Sequence, residues 1–282
     1  PVHLRQPHLH VVPLDGARLP VNAFGSIGDA MLALGLTLPR IIGAFVMLPL
    51  ITQSNMPAMV RNSFLVSLAI VDLPIAIASS PGVALSTLQW PMMVLKELFI
   101  GVAIGYLFGL VFWAFSAAGT VIDNQVGMAM SQVFDPIQGH QVTLHGQFLS
   151  EFAAWLFMAS GAFLIFLGLL MESYAIWPST SFYPDLPRAG MNLFVGQFGW
   201  FMSTLVVLAA PVMVILLVID LSFGLMNRFA PQLNVFALTL PIKAWLATAI
   251  ILLLLGVYIE ILVDRLLDSE GLIDVLRRTF GD

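Results

Sequence analysis

MNLFVGQFGWFMSTLVVLAAPVMVILLVI, Met191 to Ile219, runs for 29 residues without one Asp, Glu, Lys or Arg. About 20 apolar residues in a helix cross the hydrocarbon layer of a bilayer, so this stretch is long enough to span it. A helix apolar on every side belongs in a large core or in a membrane. Composition decides between the two. The 282 residues are 59% hydrophobic and 10% charged, with a mean hydropathy of +0.96. Soluble domains carry about 25% charged residues. Eleven Lys plus Arg and sixteen Asp plus Glu cannot cover the outside of a soluble fold this large. The outside must therefore meet lipid or other protein.

Working outward, roughly six long apolar segments emerge, giving an all-α membrane protein. They run from about Ile27 to Leu50, Ser63 to Ser79, Leu98 to Ala118, Phe148 to Leu170, Met191 to Ile219 and Ala244 to Val263. Pro39, Pro74 and Pro211 fall inside three of them and predict partly kinked or broken helices. Irregular backbone at membrane depth is tolerated only against protein or a water cavity, which favours a pore or a multi-subunit core. Residues 1–24 are Pro-rich and His-containing without an apolar centre, and read as a flexible extension. Residues 264–282 alternate Leu, Ile and Val with charges and read as an amphipathic tail. Two connectors stand out: Gly119 to Gln147, long and nearly free of Lys and Arg, and Gly224 to Pro241 between the last two helices.

Gly101, Gly105 and Gly109 stand four apart, on one helix face, where another backbone can approach closely. Six acids lie in or beside apolar segments: Asp72, Glu97, Asp123, Glu151, Glu172 and Asp220. A charge at membrane depth costs at least about 2.5–3.5 kcal/mol, so each calls for a reason. Asp123, Glu151 and Glu172 are expected at helix ends, solvated. Lys96 with Glu97, and Arg228 with Asp220, are expected as local pairs. A proton relay through Asp72 or Asp220 is the rival reading, and would make the chain a proton-coupled secondary transporter using intramembrane carboxylates. His140 and His145 are expected to face water or a partner backbone from the connector.

Enzyme signatures are absent: there is no paired-His metal spacing, nucleophile elbow or phosphate loop. No catalytic, cofactor or metal residue is assigned. With no Cys, thiol chemistry falls away. The net charge of −5, without a basic block, argues against nucleic acid.

The connector itself, GTVIDNQVGMAMSQVFDPIQGHQ from Gly119, resembles the signature of the FliR/SctT export-apparatus family. Gly119, Ile122, Asp123, Gln125, Gly127, Asp135, Pro136 and Gly139 fall on that pattern. A second match holds Asp220, Gly224, Arg228, Ala230, Pro231, Gln232, Asn234, Phe236, Pro241 and Lys243, and weaker echoes lie in Leu38–Ile51 and Lys96–Gly109. The IDNQ form leans towards the injectisome branch. The resemblance implies a core subunit of a type III secretion export gate in the bacterial inner membrane, within the secretion-system basal body. It implies smaller hydrophobic gate subunits, switch and export-gate proteins, and unfolded secreted proteins as partners. On that reading residues 25–263 form one export-gate domain, with a gate-like connector at 119–147 and a last helical hairpin at about 191–263. Asp123, Gln125, Gly127, Met128, Met130, Phe134, Asp135 and Pro136 would close the channel. Gly119, Gly127 and Gly139 would loosen the connector. Arg228, Pro231, Gln232, Asn234 and Lys243 would form the last-hairpin loop, with Lys243 at a helix start facing a neighbouring subunit.

Overall fold

The computed structural model describes residues 27–50, 56–78, 89–127, 143–179, 188–230 and 235–267. All regular structure among them is helical: α1 (Ile27–Val46), α2 (Ala58–Ala78), α3 (Gln89–Val126), α4 (Leu144–Ala159), α5 (Ala162–Ile176), α6 (Arg188–Phe229) and α7 (Val235–Leu267). The expected extension at 1–24 and nearly all of the expected tail at 264–282 lie outside the described residues.

α3 is the central post, packed by α1, α4 and α6. It is 38 residues long and apolar enough to span, and 67% of its most apolar stretch is buried within the chain itself. Its aromatic ridge explains the burial. Phe108 and Phe112 meet Phe166 of α5 and Phe157 of α4 edge to face, at centroid distances of 5.3 and 5.2 Å. Phe45 of α1 reaches the same Phe166 at 5.3 Å. Such pairs contribute about 0.5–1.5 kcal/mol each beyond the area they bury, and these three tie four helices into one core.

The fourth apolar segment is not one helix. α4 and α5 meet at a 74° bend. Gly161 sits there at φ +79°, a left-handed conformation that glycine adopts without the steric cost other residues bear. The helices continue unbroken through Pro39, Pro74 and Pro211, and through Pro241 as well, so these prolines do not end a helix, and the sharp break lies at Ser160–Gly161 instead. Pro211 still deprives the Val207 carbonyl of its helical donor. Beside it, the Tyr258 hydroxyl donates to Leu208 O at 2.7 Å, so α7 supplies a polar partner where α6 is weakest.

Long helices also absorb much of both expected connectors. α3 continues through Gly119 as far as Val126, and α4 begins at Leu144. α6 extends to Phe229 and α7 starts at Val235, leaving only 230–234 between them. Trp90–Val126, Phe194–Phe229 and Ala237–Leu266 are long and apolar enough to cross a membrane, and the bent α4–α5 pair makes a fourth if counted as one span.

Candidate functional site

The glycine ladder of α3 lies against α1 of this same chain. A Cβ at Gly101 or Gly105 would overlap the carbonyl oxygens of Arg40 and Ala44, and one at Gly109 would stand 2.6 Å from that of Met47. Gly43 of α1 returns the contact: a Cβ there would lie 2.5 Å from Leu98 O. Close approach brings the Arg40 side chain, fully buried, onto α3 and α5. Its Nε donates to Glu97 Oε2 at 2.6 Å, Nη1 to Ser173 Oγ at 3.1 Å and Nη2 to Trp177 O at 2.8 Å. The guanidinium also stacks 4.1 Å from the Tyr174 ring centre. Lys96 Nζ pairs with Glu97 Oε1 at 2.8 Å and donates to Pro178 O and Ser179 O. The expected Lys96–Glu97 pair is present, and Glu97 has a second cationic partner in Arg40 of α1. Asp72 is buried, and its Oδ1 has no hydrogen-bond partner.

A second polar cluster gathers at the far end of α3. A helix leaves its last carbonyls and first N–H groups without partners, and both kinds meet here. Gly127, at φ +94°, donates its N–H to Asp123 O and Asn124 O and closes the end of α3. The remaining Gln125 carbonyl accepts from Lys243 Nζ of α7 at 2.9 Å. At the start of α4, Thr143 occupies the cap position without capping its own helix. Thr120 Oγ1 donates to Ser116 O, so the Thr143 hydroxyl donates to Thr120, 3.0 Å away.

Asp123 of α3 takes over the cap. Its Oδ2 accepts the backbone N–H groups of His145 (2.9 Å) and Gly146 (3.3 Å), placing an anion at the positive end of α4. Its Oδ1 accepts from His145 Nδ1 at 2.5 Å, and His145 Nε2 shares a hydrogen bond with Thr248 Oγ1 of α7 at 2.9 Å. Gly119, one turn before Asp123, makes this approach possible, because a Cβ there would lie 2.5 Å from His145 and Gly146 backbone atoms. Asp220 of α6 completes the cluster: it pairs with Lys243 and accepts from Gln125 Nε2 at 3.0 Å.

Several expectations change here. Asp123 and His145 are buried and bound to each other rather than solvated, because a helix end needs the carboxylate. Gly119 is helical and admits a neighbour instead of loosening the chain. The partner of Asp220 is Lys243, not Arg228, whose residue is exposed. Lys243 lies well inside α7 rather than at its start, and its anionic and carbonyl partners both belong to this chain. Glu151 is exposed and accepts from Gln147 at 2.9 Å. Met128, Met130, Phe134, Asp135, Pro136, Pro231, Gln232 and Asn234 lie outside the described residues. Sequence reasoning missed Arg40 and Thr248 and gave His145 the wrong surroundings. The available signal for the last was Thr143-x-His145-Gly146 opening a helix, with Gly119 and Asp123 four apart on another.

Among the described residues no group of three or more His, Asp or Glu is placed to hold a metal. An all-helical bundle with ionic ties around a central apolar post, and several helices able to span, is a polytopic membrane protein. Residues 31–269 match the family described as bacterial export proteins, family 1. The chain is 33% identical over 224 residues to Yop proteins translocation protein T of Yersinia pestis, covering 79% of this chain and 85% of that one. It is 33% identical over 215 residues to surface presentation of antigens protein SpaR of Salmonella typhimurium, covering 76% and 79%. Flagellar biosynthetic protein FliR of Bacillus subtilis is 29% identical over 241 residues, covering 85% and 92%. The chain belongs to this export-protein family, the FliR/SctT family, and its likeness is to the injectisome branch.

Proposed function

We propose that this chain is a core subunit of a type III secretion export gate, helping to form and close the channel through which unfolded proteins cross the bacterial inner membrane. The reading places it in the basal body with smaller hydrophobic gate subunits and with switch and export-gate proteins. One observation carries it beyond family membership: the chain buries the spanning stretch of α3 within itself but leaves those of α6 and α7 largely bare. The spanning stretches of α6 and α7 are each only 28% buried. Val206, Leu217 and Leu221 of α6 and Trp245 and Leu253 of α7 are all at least 60% exposed. A subunit whose hairpin packs on neighbouring helices needs such faces, and relatives named for protein translocation and flagellar biosynthesis agree with it.

The closing role falls to the segment after α3. Met128, Met130 and Phe134 supply adaptable apolar contacts, and Asp135 with Pro136 supplies a turn. Such a seal blocks ions at rest and yields to varied side chains. The test is conductance of the purified complex in planar bilayers with Met128→Ala and Met130→Ala together. The expected double mutant assembles and leaks small ions at rest. A complex that assembles, secretes normally and stays electrically silent would remove the sealing role.

A further inference from the structure

Two helix ends meet where α3 stops and α4 begins, and each is closed by a charge from another helix. Lys243 of α7 brings a cation to the carbonyl end of α3, and Asp123 of α3 brings an anion to the N–H end of α4. Lys243 and Asp123 are thus matched to helix ends, which satisfies groups that secondary structure alone leaves open. Three further contacts cross the same place: Thr143 to Thr120, His145 to Thr248, and Gln125 to Asp220. Four helices, α3, α4, α6 and α7, are joined around three buried side chains, Asp123, His145 and Lys243.

We infer that this junction is a permanent brace, in which Asp123 and Lys243 are positioning residues holding α4 and α7 on the end of α3 throughout export. It rests on the reading of the chain as an export subunit and adds which part of that subunit stays still. Separating α4 from α3 would strand the buried Asp123 carboxylate and the N–H groups of His145 and Gly146, and separating α7 from α3 would strand the Gln125 carbonyl and the buried Lys243. Such a seam is a poor place for a reversible opening. Conformational change is left to the surfaces around it, with the two flanks of 128–142 held at one point.

The chain has no native cysteine, so an engineered pair is unambiguous. Thr120→Cys with Thr143→Cys replaces two hydroxyl oxygens 3.0 Å apart, a separation that two sulfurs can close into a disulfide with little backbone movement. The double mutant is placed in the complete apparatus in cells, oxidised with copper phenanthroline, and followed for both cross-link and export of a reporter substrate. A brace predicts near-complete cross-linking with export retained in the oxidised form. Export that is lost on oxidation and restored by a reductant would show that the seam must open, and would overturn the inference. Failure to cross-link under conditions where the reduced mutant exports normally would also overturn it, by removing the contact. The reduced mutant controls for misfolding. Export unchanged when the whole chain is deleted would instead sink the export reading, a result the cross-link cannot mimic.

Discussion

Gly105 and Ala44 touch backbone to backbone, so the smallest change at that glycine has nowhere to go. Gly105→Leu should cost about 1–3 kcal/mol by overpacking, read as poor accumulation of the chain or its failure to join a complex; normal yield would contradict the close contact. Glu97 is a different case. It pairs with both Arg40 and Lys96, and removing one partner of a buried ion pair typically costs about 3–5 kcal/mol. Glu97→Ala should lower the thermal stability of the detergent-solubilised protein far more than Glu151→Ala, whose carboxylate is exposed. Equal effects would mean that the Arg40 ties do not matter. The glycine ladder was legible because helical periodicity puts residues four apart on one face whatever the neighbour is. Arg40 with Glu97, and Asp123 with His145, were not. Each partnership is set by how helices cross; the Thr143–Gly146 pattern and the Gly119–Asp123 spacing mark a helix start and a close-packing face without saying that the two meet.

At the scale of elements, the α4–α5 break isolates backbone strain from packing. Neither Gly161 nor Gly168 has anything within 4 Å of an added Cβ, yet Gly161 is left-handed and Gly168 is helical. Gly161→Ala should destabilise by about 1–2 kcal/mol, while Gly168→Ala should be neutral or stabilising by up to about 1 kcal/mol. Paired melting curves in detergent check both, and the same sign for the two would refute the assignment of strain to the break. The apolar runs of α3, α6 and α7 were read correctly as helices because nothing else satisfies their backbone in an apolar setting. Their bounds were read too narrowly at both ends. Polar residues such as Asp123 and Lys243 look like loop residues in sequence, but helix-end and ion-pair contacts let the helices carry them inside. The prolines do not break their helices: a single lost N–H bond is tolerated where neighbouring helices pack on the segment, whereas a left-handed residue turns the chain outright.

Across the whole molecule, burial is concentrated on α3 and is least along α6 and α7 among the helices long enough to span. Around α3 the chain is closed by aromatic packing and buried charge; along α6 and α7 it presents long apolar faces to its surroundings. Family membership and these bare faces together make partnership the central claim, and partnership predicts that a charge on a bare face harms assembly before it harms the fold. Leu221→Asp, at an exposed position of α6, should leave the chain membrane-associated while reducing the other subunits recovered with it. Retained recovery would place that face against lipid. The most direct measurement is the composition of what an affinity-tagged full chain brings out of membranes in mild detergent, determined by native mass spectrometry. The account predicts a hetero-oligomer in which this chain is joined by smaller hydrophobic proteins. Recovery of the chain alone, or as a homo-oligomer, would contradict it.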